Sequence, residues 1–149
     1  MKKLKLASHK GGGKWWFVSS ITKWYTRGKY SHSELVMPDG TSFSSRQDGV
    51  SFKKIDYTKH TNRWDFVDIE VSDKEFNKID ARCNEIDGAD YDWVGVALDC
   101  VLHTKLHRED QWWCSEAVAH ALGINPELIN PSQLHKIVND CYNTCGRKK

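Results

Sequence analysis

The apolar positions of this chain follow two rhythms. A period near two marks short extended runs: Lys3–Ala7, Ser31–Met37, Thr41–Ser45, Val50–Ile55 and Trp64–Val71. Turn residues separate several of them, Pro38-Asp39-Gly40 after the second run and Gln47-Asp48-Gly49 after the third. Near-helical spacing marks the rest. Trp16, Phe17, Ile21, Trp24 and Tyr25 predict a helix over Trp15–Thr26, ended by Gly28. Ser72-Asp73-Lys74-Glu75 is a capping box, and Phe76, Ile79, Cys83 and Ile86 share one face of the helix it opens, which closes near Gly88. Tyr91-Asp92-Trp93 opens a helix running to about Leu102, Cys114 opens one to Leu122 with Gly123 as C-cap, and Asn130-Pro131-Ser132 leads into one over Gln133–Tyr142. The order of helix, sheet and further helices reads as an α+β fold: a small, curled antiparallel sheet packed against helices.

Composition narrows the class. A chain of 149 residues with 39% hydrophobic and 28% charged residues suits a single domain, 1–149, and excludes disorder. A net charge of +2 is too small to argue for nucleic acid. Lys2, Lys3 and Lys5 at one end and Arg147, Lys148 and Lys149 at the other read as solvated tails, with an anionic partner as the lesser reading. No apolar run reaches the length of a membrane span, and no apolar stretch follows the first lysines as in a secretory signal. Five cysteines, without the spacing of a disulfide framework, suggest free thiols in a reducing compartment. The expected location is therefore cytoplasmic, with later release by lysis still open.

The chemistry centres on Cys114. A thiol in the first turn of a helix faces unpaired N–H groups and the positive end of the helix dipole, and both favour thiolate. His32 lies on a predicted strand, with Glu34 two residues on and so on the same face. A Cys–His pair brought together by folding is the core of a cysteine hydrolase or acyltransferase, and the carboxylate would orient the imidazole. The plain readings are a small core cysteine, a bystander histidine and a surface ion pair. Glu116 reads as a cap for its own helix, and Trp112 and Trp113 as core or as the wall of a substrate groove. Cys100, His103 and His107, with Cys141 and Cys145, form a rival zinc-binding set that matches no common module. Gly11-Gly12-Gly13 fits neither a phosphate loop nor a dinucleotide fingerprint.

Tyr30-Ser31-His32-Ser33-Glu34-Leu35-Val36, Asp39-Gly40, Phe43-Ser44-Ser45-Arg46, Asp48-Gly49-Val50, Tyr91-Asp92-Trp93 and Trp113-Cys114-Ser115-Glu116 occur in that order. The set resembles the circularly permuted papain-fold hydrolases, a group related to NlpC-type cell-wall endopeptidases and lecithin retinol acyltransferases, with many short members from phages and bacteria. The resemblance implies a permuted papain-like fold with Cys114 as nucleophile and His32 as base, and no metal or organic cofactor. It places a third, orienting residue at Ser44, where relatives often carry Glu; Glu34 is favoured for that role here, with Gln47 also open. Tyr30 is a candidate oxyanion donor and Trp113 a candidate substrate contact. Peptidoglycan peptides are the leading substrate class. The alternatives are an acyl-lipid hydrolase or acyltransferase, and a catalytically weak module that binds a host protein.

Overall fold

The computed structural model describes residues 1–11, 28–91, 111–127 and 129–145, with side chains of the last helix as far as residue 143. The architecture is α+β. Five antiparallel strands, β1 (Lys2–His9), β2 (His32–Val36), β3 (Thr41–Arg46), β4 (Gly49–Lys54) and β5 (Trp64–Val71), form one sheet in the order β4-β3-β2-β1-β5. A 3-10 helix, Tyr57–Arg63, links β4 to β5. The helices are α1 (Asp73–Ile86), α2 (Cys114–Leu122) and α3 (Pro131–Cys145). None of them is long and apolar enough to cross a membrane. The predicted helix over Trp15–Thr26 lies outside the described residues.

Alternation in the strands sorts their side chains onto two faces. Leu4 and Leu6 of β1, Leu35 of β2, Phe43 of β3, Val50 of β4 and Val67, Ile69 and Val71 of β5 all point to the helices and are buried. The opposite face carries His32, Glu34, Ser42 and Arg46 at one end and salt-bridged pairs such as Lys3–Glu70 and Lys5–Asp68 at the other.

The helices close over the core for local reasons. The Ser72 side chain accepts the Glu75 N–H at 3.2 Å, and Ile79, Cys83 and Ile86 turn inward at spacings of four and three. α3 begins with proline at its first position. Asn130 and Gln133 cap each other reciprocally there, Gln133 N–H to Asn130 Oδ1 at 2.9 Å and Asn130 N–H to Gln133 Oε1 at 3.0 Å. Leu134 and Val138 are its buried anchors. α2 ends at Gly123 in the left-handed conformation, with the Ile124 N–H on Ala119 O at 2.9 Å.

One expectation is corrected. Tyr91, the first residue of a predicted helix, is instead extended: with Asp90 it forms β6, which pairs in parallel with β7, Gln111–Trp112. The pairing, together with the Val50 N–H donated to Ala89 O at 2.8 Å, overrides the local propensity. The rest of that predicted helix, to Leu102, lies outside the described residues.

Gly49 makes this junction tight. Its φ is +102°, and an added Cβ would sit 2.7 Å from the Ala89 carbonyl oxygen. Gly40, at φ +83°, has open space around it. Gly40→Ala is expected to cost about 1 kcal/mol for the backbone alone. Gly49→Ala should cost about 1–3 kcal/mol more, because backbone must move. Denaturant midpoints of the two variants measure the difference.

Candidate active site

The site forms where β2 and β3 stop pairing. Their ladder joins Leu35 to Phe43 and Val36 to Ser42 and goes no further toward His32. The backbone groups left open there find other partners. The Ser44 hydroxyl donates to the Ser33 carbonyl at 2.6 Å, in place of the missing ladder bond. The Ser33 N–H lies near Cys114 and helps hold its thiol below the ordinary range. The start of α2 fits into the gap and is pinned there by two more hydroxyls: Ser45 donates to Trp112 O at 2.7 Å, and Ser115 donates to Ile129 O at 2.6 Å.

Cys114 is the first residue of α2 and is buried, 7% exposed. Trp113 is the N-cap residue, and its N–H is taken by Glu116 Oε2 at 3.2 Å, the self-capping role expected of that carboxylate. The Cys114 amide has no intrahelical partner at this position and lies beside its own sulfur.

His32 and Cys114 lie beside each other, and each side chain favours the charged form of the other. His32 Nε2 lies 3.0 Å from Glu34 Oε1. An ionised carboxylate can only accept, so Nε2 carries the proton and Nδ1 is the nitrogen left for sulfur. Glu34 is 3% exposed, and four side chains donate to it. Oε1 receives His32 together with Arg46 Nε at 3.1 Å and Arg46 Nη2 at 3.0 Å; Oε2 receives Ser42 Oγ at 2.8 Å and Tyr57 OH at 2.5 Å.

The charges support one another. Burial alone would raise Glu34, but the His32 bond and charge, Arg46 and Tyr57 bring it down to about 2. Burial would lower His32, but the sulfur and Glu34 raise it to about 10. Burial would raise Cys114, but the His32 charge and hydrogen bond, with the Ser33 and Ser115 N–H groups, hold the thiol below its ordinary range. Cys83, buried beside Asp80 and Asp87 with no cation to help it, is instead pushed up to about 12. The arrangement favours a thiolate–imidazolium pair, with a buried, fixed carboxylate behind it.

Two site expectations are revised by these positions. Ser44 is bonded to the Ser33 carbonyl rather than to the imidazole, so orientation of His32 falls to Glu34. Tyr30 is not brought to the sulfur. Its OH donates to Asp65 at 2.6 Å, and its ring packs on His135 at 4.4 Å. Trp113 adjoins the thiol and is half-buried. A second Ser–His contact exists, Ser8 Oγ to His135 Nδ1 at 2.8 Å, but Ser8 is fully buried and closed to any substrate. Cys100, His103 and His107 lie outside the described residues, and among the described residues no three His, Cys, Asp or Glu are grouped to hold a metal ion.

Arg46, Ser42 and Tyr57 are additions that sequence reading missed. The hairpin about Pro38–Gly40 carried a signal for two of them. Once Met37 is set against Thr41, alternation places Ser42 and Arg46 on the face of Glu34. Tyr57 arrives from the 3-10 turn and had no such signal. No protein-family model matches the chain, and no curated protein matches it.

Two outcomes follow. Under iodoacetamide at mildly acidic pH, with each thiol followed by mass spectrometry, Cys114 is expected to react ahead of Cys83 and the exposed Cys141. Its rate should hold as pH falls until the lowered titration is crossed, whereas an ordinary thiol loses about tenfold per unit throughout. Glu34 affects stability at the acid end. Its folded value lies below the unfolded one of 4.5, so its contribution is present above that pH and is lost as pH falls toward about 2. Glu34→Gln should therefore flatten the acid limb of a stability–pH curve measured by thermal unfolding.

Proposed function

We propose that this protein is a cysteine hydrolase of the permuted papain-like kind, cleaving an amide or related acyl bond through a thioester on Cys114. The observation that carries this reading is the buried Cys114–His32 contact with Glu34 fixed behind it, since a structural cysteine needs neither partner. The histidine-first order along the chain, with His32 on a strand and Cys114 opening a helix, supports the permuted topology.

The residues perform each step in turn. The Cys114 thiolate attacks the carbonyl carbon, and the electron pair moves onto the carbonyl oxygen. The Cys114 N–H, at the positive end of α2, stabilises that oxyanion. When the tetrahedral species collapses, the C–N bond breaks and the departing amine takes the proton held by His32. Acylation removes the negative charge from sulfur, and with it one of the two causes that hold His32 protonated. The imidazole then accepts a proton from water as its oxygen attacks the thioester, and the thiolate leaves to restore the resting pair. Glu34 keeps Nε2–H pointed at itself throughout, so that Nδ1 exchanges every proton.

Peptidoglycan peptides are the substrate class we favour, in keeping with the family resemblance, and the site of action is the cytoplasm or the wall reached from it after lysis. Purified peptidoglycan incubated with the protein should release new amino and carboxyl termini, resolved by mass spectrometry of the soluble fragments. Cys114→Ala should lower that release about a thousandfold or more, to background. Release that persists in Cys114→Ala would overturn the reading. No release from peptidoglycan, combined with Cys114-dependent cleavage of acyl esters, would move the substrate to the acyl-lipid class.

A further inference from the structure

Arg46 takes no part in the proton transfers, yet it is among the most fully bonded side chains at the site. Its Nε and Nη2 both reach Glu34 Oε1, the same oxygen that receives His32. Its Nη1 donates to the Ser51 carbonyl on β4 at 3.1 Å and its Nη2 to the Ser42 carbonyl on β3 at 3.2 Å. The guanidinium is thus fastened to two strands and presents its remaining edge to one carboxylate oxygen, with 14% of the side chain exposed.

We propose that Arg46 is a positioning residue for the Cys114–His32 pair: its fork, anchored on β3 and β4, holds Glu34 Oε1 where His32 Nε2 meets it. This deepens the hydrolase reading and rests on it. The last torsion of a glutamate side chain is broad, so a carboxylate does not choose the height of its oxygens unaided. Ser42 and Tyr57 fix Oε2. Arg46 fixes Oε1 and so sets the plane of the group. It also supplies a charge that lets Glu34 stay ionised while buried. A lysine would keep that charge, but a single ammonium cannot hold both carbonyls and the carboxylate in one plane. Shape and charge can therefore be separated.

Among the described residues, the groups around the pair are Cys114 from α2, His32 and Glu34 from β2, Ser42 and Arg46 from β3, and Tyr57 from the 3-10 helix. His9 of β1, opposite His32, completes the set, with Trp64 of β5 against it at 4.7 Å. The test is the pH profile of Cys114 alkylation by iodoacetamide in the full chain, for the unaltered protein, Arg46→Lys and Arg46→Met, each with a thermal unfolding curve. Both variants are expected to fold, to label about tenfold more slowly near pH 6, and to move the Cys114 titration upward. A wild-type profile in Arg46→Lys would reduce the role to charge and overturn the proposal, as would wild-type profiles in both variants. Variants that do not fold would assign Arg46 to the fold itself and also overturn it. If unaltered Cys114 reacts no faster than Cys141, the hydrolase reading fails. A fast Cys114 matched by both variants sinks the positioning role alone.

Discussion

The pairing of β2 with β3 is unusually short, and the site depends on that. A continued ladder would bury the Ser33 amide in a strand–strand bond and close the sheet against α2. Ending it leaves one N–H and one C=O to be satisfied at full burial, where an orphaned backbone group costs about 1–3 kcal/mol. The serine hydroxyl of residue 44 answers the carbonyl, and the sulfur of Cys114 answers the amide. The thiol thus sits where the ladder ends, and the amide freed there favours its charged form.

Charges of alternating sign run from that point: sulfur, imidazolium, carboxylate, guanidinium. The sulfur and the carboxylate are buried and the imidazole and guanidinium half-buried, and each charge would be unfavourable alone. Together they sum to zero, so the ion pair forms without leaving a net charge in the interior. The contrast with Cys83 shows what the partners contribute. Both thiols are buried, but one sits beside Asp80 and Asp87 and is pushed up, while the other sits beside His32 and is held down. Burial raises both; the sign of the neighbouring charge separates them.

Much of this was legible in the residues. Alternation over Thr41–Ser45 and Trp64–Val71, the capping box at Ser72 and the glycine after Leu122 marked their elements close to the observed limits, because those signals are local. Cys114 at a helix start and His32 with Glu34 on one strand face were also local readings. The identity of the orienting group was not settled from the chain, because Ser44 and Glu34 share a face and only the parting of two strands decides which one meets the imidazole. Tyr57 was invisible for the same reason: its value lies in where a 3-10 turn folds back over the sheet. Tyr91 was misread because a two-residue pairing has no periodicity to detect.

His32 and Glu34 stand on the same strand, two residues apart, so the imidazole and the carboxylate that holds it move together. Their spacing is the pleat repeat of β2, among the stiffest distances in a protein. The remaining degree of freedom in the site is the seating of one helix on one sheet. Ala117 and Ala121, one turn apart on the same face of α2, and Ala119 on the other side are all fully buried, so small side chains let α2 sit close to its neighbours. The distance from sulfur to imidazole is therefore a helix-to-sheet coordinate. Methyl-sized changes at those alanines, with no polar atom involved, would act as a spacer that tunes that distance.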